Sequence, residues 1–317
     1  MQIYESLEVS LKNNEQKIAD KRQMSEGKFA FLLLLPSLIL IAILIIYPLI
    51  YSFVLSLSNF DIQEMTRTYV GFSNYLAIFE DQRFAISLKN TLIYLLLNLL
   101  LGIAISLILA LVLDEPIRGK ALYKTSLLVP WAISPIVVSV MFLWIFHANY
   151  GIVNYVLLSL GLVREPIQFL GDPAYALYTI TFVNLWKFVP LVTLILLTGL
   201  QNLNRDQIKA AKIDGANAIQ RFIYIILPHL RPTILAASIV LIVFSLLTFD
   251  LVYAMTGGGP ADSTFMLYFL AYKTSFDWLR LGYGASIAYW VTFIVVILAI
   301  LMHRFFRERK AVKLPKL

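Results

Sequence analysis

Long apolar runs alternate with short polar, basic segments along this chain. Residues 90–113 are 24 consecutive uncharged positions, mostly Leu and Ile. About 20 such residues cross the hydrocarbon core of a bilayer as a helix. Six runs of this kind predict spans at about 29–57, 88–113, 124–146, 175–200, 232–254 and 284–306. Each helix satisfies its own backbone hydrogen bonds in lipid, and the period-two alternation of a membrane β-barrel is absent. The predicted class is an all-α polytopic membrane protein with six transmembrane helices. Residues 1–28 read as a cytoplasmic N-terminal extension, 29–306 as the six-span domain and 307–317 as a cytoplasmic tail.

Composition agrees: 60% of the 317 residues are hydrophobic and 14% charged, against roughly half and a quarter in a soluble domain. Charge then orients the spans. Nineteen Lys and Arg fall in the N-terminal extension, the 114–124 loop, the 201–231 loop and the C-terminal tail. Six fall in the opposite loops: Arg67, Arg83, Lys89, Arg164, Lys273 and Arg280. The positive-inside rule therefore places both termini and the 201–231 loop in the cytoplasm. The net charge of +7 records topology; the basic residues are spread over loops, not gathered on a nucleic-acid face. The first 28 residues are polar and the first apolar run exceeds a signal-peptide h-region, so span one is read as an uncleaved insertion signal. Ile3, Leu7 and Leu11 permit a short helix before it, although a solvated extension is the plainer reading.

Several chemistries are excluded. With no Cys there is no disulfide, thiol catalysis or thiolate metal site. No G-x-x-x-x-G-K-[ST] phosphate loop occurs. His147, His229 and His303 lack metal-ligand spacing and read as interfacial. Gly257-Gly258-Gly259-Pro260 reads as a flexible outer loop. No catalytic constellation stands out.

The 201–231 loop is too long for a plain connection, which is typically ~4–6 residues. Asn204 with Gln207, then Asn217 with Gln220, repeat the capping-box spacing. Ala210 and Ala211 give the first short helix a close-approach face, and Gly215 supplies a left-handed turn. Ile219, Phe222, Ile223, Ile226 and Leu227 share one face of the second helix, with Arg221 and Tyr224 off it. Pro228 is read as ending that helix and Pro232 as opening span five. The product is a helix–turn–helix on the cytoplasmic side, built for docking.

This segment resembles the cytoplasmic E-A-A…G loop of binding-protein-dependent ABC importer permeases. Lys209-Ala210-Ala211-Lys212-Ile213-Asp214-Gly215-Ala216, then Phe222, Pro228 and Pro232, follow that pattern. Tyr47-Pro48, Val70-Gly71-Phe72-Ser73-Asn74-Tyr75, Phe249-Asp250 and Thr256-Gly257-Gly258-Gly259-Pro260 resemble the carbohydrate-uptake branch, the maltose, trehalose and glycerol-3-phosphate permease type. The resemblance spans nearly the whole chain from about residue 29. It implies the type I importer permease fold and a subunit forming half of a translocation path for a di- or oligosaccharide. The implied partners are a second homologous permease, two cytoplasmic ATPase subunits, an extracytoplasmic solute-binding protein and membrane lipid, in the inner membrane of a prokaryote. Nucleic acid is not among them. ATP and Mg would sit on the ATPase; this chain would be no enzyme and need no cofactor. The resemblance assigns Lys209, Ala210, Ala211, Asp214, Gly215, Phe222 and Pro228 to the ATPase-coupling surface. Lys209 stands where the family usually has Glu.

Polar and aromatic residues inside spans are candidates for the path: Asn98, Asn184, Trp186, Lys187, Ser245, Tyr289 and Trp290. Lys187 is read either as a functional charge or as snorkelling to an interface or a partner acid. Trp186 and Trp290 are read either as packing or as sugar contacts. Pro130, Pro135 and Pro190 loosen spans three and four, and broken helices line cavities. A permease for glycerol-3-phosphate or another polyol is the nearest alternative. A multi-pass glycosyltransferase needs a catalytic cluster at one membrane face, which is not found.

Overall fold

A computed structural model describes residues 26–61, 66–115 and 119–306. The 1–25 segment, with its Ile3/Leu7/Leu11 pattern, and the 307–317 tail lie outside the described residues. The protein forms two compact units, residues 1–54 and 55–317.

The first unit is described from Glu26: α1 (Glu26–Ile41) leads through a π-turn (Ala42–Ile46) into α2 (Tyr47–Ser56), whose last two residues, Leu55 and Ser56, belong to the second unit. The Tyr47 N–H bonds Ala42 O, five residues back. The ladder thus widens immediately before Pro48, whose ring collides with a regular turn.

The second unit opens on a small feature that an all-α reading omits. Strands β1 (Ser58–Asp61) and β2 (Thr66–Tyr69) pair antiparallel, with Ser58 opposite Tyr69. The short helix α3 (Ser73–Ala77) follows. Asn74 Nδ2 donates to Ser56 O and Ser58 O at 2.9 and 3.0 Å, and Tyr75 OH lies 2.7 Å from Ser56 Oγ. Burial pushes the Tyr75 phenol up. Span two is α4 (Gln82–Asp114), capped by Asp81, which also accepts from Tyr283 OH at 2.8 Å.

Span three is not one helix. It divides into α5 (Lys120–Ala132) and α6 (Pro135–Ile145), bent by 91°. Ile133 and Ser134 are extended between them. Pro135 supplies no N–H to continue α5 and is well suited to open α6. After α7 (Ile152–Ser159), span four is α8 (Pro173–Gln201), the most enclosed of the candidate spans among the described residues.

The 201–231 loop carries α9 (Arg205–Ile213) and α10 (Ala218–Arg221). Here the sequence reading is corrected. Pro228 does not break the second helix. A π-turn (Phe222–Ile226) leads from α10 directly into α11 (Leu227–Leu246), and residues 218–246 form one continuous span. Leu227 N–H bonds Phe222 O, the same widening before a proline as at Pro48. Pro232 sits inside α11 and does not open it.

The segment after span five packs back on the fold. Helix α12 (Asp250–Met255) and α13 (Leu267–Tyr272) bracket the glycine-rich stretch. That stretch is a packed turn and not a loose loop. Thr264 Oγ1 donates to Gly259 O at 2.7 Å and lies 2.8 Å from Thr256 Oγ1. A Cβ at Gly258 would strike Phe265. Asn90 Nδ2 holds Asp262 O and Phe265 O at 2.9 and 3.1 Å, and Thr91 Oγ1 accepts from Leu267 N at 3.0 Å. Span six, α14 (Leu281–Phe306), completes the bundle.

Helices α4, α8 and α11 pack on one another. Small residues allow this. A Cβ on Gly102 would stand 3.0 Å from a Leu241 methyl, and one on Gly199 2.5 Å from Thr233 Oγ1.

Candidate functional site

Two places gather the residues singled out in the sequence. The first is the 201–231 loop. Asn204 Oδ1 caps α9 by accepting from Asp206 N at 2.9 Å. The helix ends in a Schellman motif: Ala216 N bonds Ala211 O at 2.9 Å, Gly215 N bonds Lys212 O at 3.2 Å, and Gly215 has φ +83°. Asn217 and Gln220 then form a complete capping box, both bonds at 2.8 Å. The loop is therefore stiff at both helix ends.

The coupling candidates lie on this element. Lys209, Ala210, Asp214, Gly215 and Pro228 are exposed; Ala211 and Phe222 are half-buried. Lys209 Nζ bonds Asp206 Oδ1 at 3.0 Å, with both side chains in solvent. Arg205 clamps the start of α9 to the end of span two through both oxygens of Asp114, at 2.6 Å each. This anchor has no local sequence signal, because its partners lie 91 residues apart. Ile219, Phe222, Ile223 and Ile226 line a groove of about 790 Å³ beside Asp114 and Ile208, as their shared face predicts. Arg221 also lines the groove, contrary to its expected place off that face, because its Nη1 turns back to Ala216 O at 2.5 Å. Tyr224 points away and is exposed.

The second place lies beside the middle of span four. A cavity of about 430 Å³ opens at the break in span three, lined by Trp131, Asn184, Lys187, Phe188, Phe244 and Asp250, among others. Asn184 Nδ2 donates to Asn98 Oδ1 at 2.7 Å, and Asn98 Nδ2 to Tyr94 O at 2.8 Å. Asn184 Oδ1 is buried with no partner among the described residues. Lys187 is 3% exposed and donates to Trp131 O at 3.1 Å and to Ile133 O.

The other path candidates separate. Trp186 lines a different, aromatic cavity of about 670 Å³, edge-on to Phe142 at 5.1 Å. Trp290 packs edge-on against Phe79 and Phe293, both at 5.5 Å, and its Nε1 has no partner among the described residues. Ser245 is buried, with its Oγ likewise unpartnered. Tyr289 is half-buried on α14. Among the described residues, no His, Asp or Glu cluster suits a metal ion. Asp250 and the aromatic rings of Phe244 and Phe249 join the cavity wall; sequence reading did not choose them for the path because they lie at the expected outer end of span five.

Comparison with known proteins agrees with this architecture. Residues 102–310 match the family described as binding-protein-dependent transport system inner membrane component. A sulfoquinovosyl glycerol transport system permease protein of Agrobacterium fabrum is 37% identical, over 84% of this chain and 86% of that protein. A trehalose/maltose transport system permease protein of Thermococcus litoralis is 32% identical, over 89% and 95%. A chain of a bacterial alginate ABC transporter, crystallised with its alginate pentasaccharide-bound periplasmic protein, superposes with a TM-score of 0.75 over 88% of this chain and 94% of that one, at 21% identity. The fold is that of the type I ABC importer permeases. This chain belongs to the binding-protein-dependent transport system inner membrane component family and is a multi-pass transport permease subunit.

Proposed function

We propose that this permease imports a neutral sugar, at the size of a di- or oligosaccharide, and that it transmits the work of a partner ATPase through span five. One observation carries the reading. The capped loop helix and the cavity wall belong to one continuous helix, residues 218–246. Its cytoplasmic end bears the capping box and its outer end bears Phe244, beside the cavity. At ~1.5 Å per residue such a helix spans roughly 40 Å, so displacement of the loop reaches the cavity without an intervening hinge other than the π-turn.

In this reading, α9 seats in a cleft of the ATPase. Ala210 and Ala211 permit close approach, Asp214 and Gly215 shape the turn, and Lys209 sits at the rim. ATP and Mg stay on the ATPase, both termini stay cytoplasmic, and a second permease completes the path. An extracytoplasmic binding protein delivers the solute. Residues 201–231 act as the coupling loop.

The cavity chemistry supports a sugar. Trp131, Phe188, Phe244 and Phe249 offer aromatic faces to C–H surfaces. Asn184 Oδ1 is a buried acceptor in need of a hydroxyl. Among the relatives, the permeases named for trehalose/maltose and lactose favour a glycan. Those named for sulfoquinovosyl glycerol, which carries a sulfonate, and for sn-glycerol-3-phosphate make an anionic solute the alternative. Lys187 is committed to two carbonyls, and Asp250 lines the same cavity, which disfavours an anion. The test is uptake by the complete importer in proteoliposomes, with maltose, trehalose, lactose and glycerol-3-phosphate in parallel. Saturable, ATP-dependent uptake of a neutral sugar supports the reading; exclusive uptake of glycerol-3-phosphate overturns it.

A further inference from the structure

Lys187 is a buried cation in the middle of a membrane span, and its surroundings explain it without a solute. Helix α5 ends at Ala132 inside the predicted membrane region. The last carbonyls of a helix have no amide to accept from, and in lipid each needs a partner. The Trp131 carbonyl would ordinarily take the amide four residues on, but that residue is Pro135, which has no N–H. Ile133 is extended, with ψ 138°, so its carbonyl also leaves the helical ladder. These are the two carbonyls to which Lys187 Nζ donates. A cation at a helix C-terminus is also favoured by the helix dipole.

We infer that Lys187 is a positioning residue: its ammonium caps the cut end of span three from span four and so holds the 91° break that opens the cavity. It reaches the solute path through α5 and is not itself the solute's ligand. Asp250 lines the same cavity. The ammonium carries three donors; two are spent on the carbonyls.

The test reads the break directly and without any solute. The chain has no Cys, so a pair introduced at Val129 and Val137, both more than half exposed, reports across the bend. Spin labels on V129C/V137C in the full chain, reconstituted in lipid nanodiscs, give the distance distribution for native Lys187, K187R and K187M. The inference predicts one narrow distribution for native protein, its retention in K187R, and a shifted, broadened one in K187M. An unchanged distribution in K187M overturns it, because a residue that only binds solute leaves a solute-free bend untouched. Should K187M not accumulate, K187Q takes its place, since a shorter neutral amide reaches at most one of the carbonyls; broadening supports the clamp and a native trace overturns it. None of these traces depends on which solute is carried.

Discussion

Asn184, a residue of the cavity wall, gives its amide to Asn98 Oδ1 at 2.7 Å, and its own oxygen is buried with no partner among the described residues. The two asparagines thus differ in kind. Asn98 is satisfied by the protein; Asn184 is half-satisfied, and it is the one of the two that lines the cavity.

That asymmetry gives the first prediction. Asn98→Ala and Asn184→Ala each strand one buried polar group, at about 1–3 kcal/mol. Both should lower the melting temperature in detergent. Only Asn184→Ala should also raise the solute concentration for half-maximal uptake in proteoliposomes. Equal half-saturation values in the two variants would show that the Asn184 oxygen has no part in binding.

Gly215 tests the turn. Its φ is +83° and a Cβ there would meet nothing within 4 Å, so any penalty is backbone strain alone. Gly215→Val should cost roughly 1–2 kcal/mol in the loop, with normal membrane insertion and loss of solute-stimulated ATP hydrolysis. Gly215→Asn, which tolerates the left-handed region, should retain most activity. Loss of activity in both variants alike would point to a steric contact with a partner in place of backbone strain.

Lys209 should matter little by itself. Its pair with Asp206 is exposed on both sides, and such pairs contribute ~0–1 kcal/mol. Lys209→Glu places like charges three residues apart on α9, so the change in stimulated hydrolysis should be small and should shrink at high salt. A large loss that persists at high salt would reveal a buried contact with a partner.

Gly199 reports packing. A Cβ there would press on Thr233 Oγ1 at 2.5 Å and on Leu230 Cδ2 at 2.9 Å. Gly199→Leu should destabilise the assembled permease by about 1–3 kcal/mol, read as a lower denaturation midpoint. A midpoint equal to wild type would mean that spans four and five are not in contact there.

The spans and the loop were legible because each rests on local pattern: apolar length for the spans, Asn217/Gln220 spacing for the cap, Gly215 for the turn. What escaped depends on pairing across the chain. Asp114 meets Arg205, Asn90 meets Asp262 and Phe265, and Lys187 meets Trp131 and Ile133. None of these has a sequence signature. Pro228 misled for a different reason. A proline predicts a helix end only if the ladder before it is regular, and the π-turn at Phe222–Ile226 makes room for the ring. The same device precedes Pro48, so the residues ahead of a proline decide whether it stops a helix. Trp186 and Lys187 are both path candidates as polar or aromatic residues inside a span, but neighbours on a helix face different ways, and the two line different cavities.

The central claim is that one helix carries motion from the loop to the cavity. Its most direct test is a flexible joint placed in that helix. Tyr224 is exposed and Ile225 half-buried, both within the π-turn. The double variant Tyr224→Gly, Ile225→Gly softens the rod and leaves both of its ends intact. The measurement is sugar molecules imported per ATP hydrolysed by the complete importer in proteoliposomes. The account predicts that ATP hydrolysis persists while import per ATP collapses. An import-to-ATP ratio equal to wild type would contradict it.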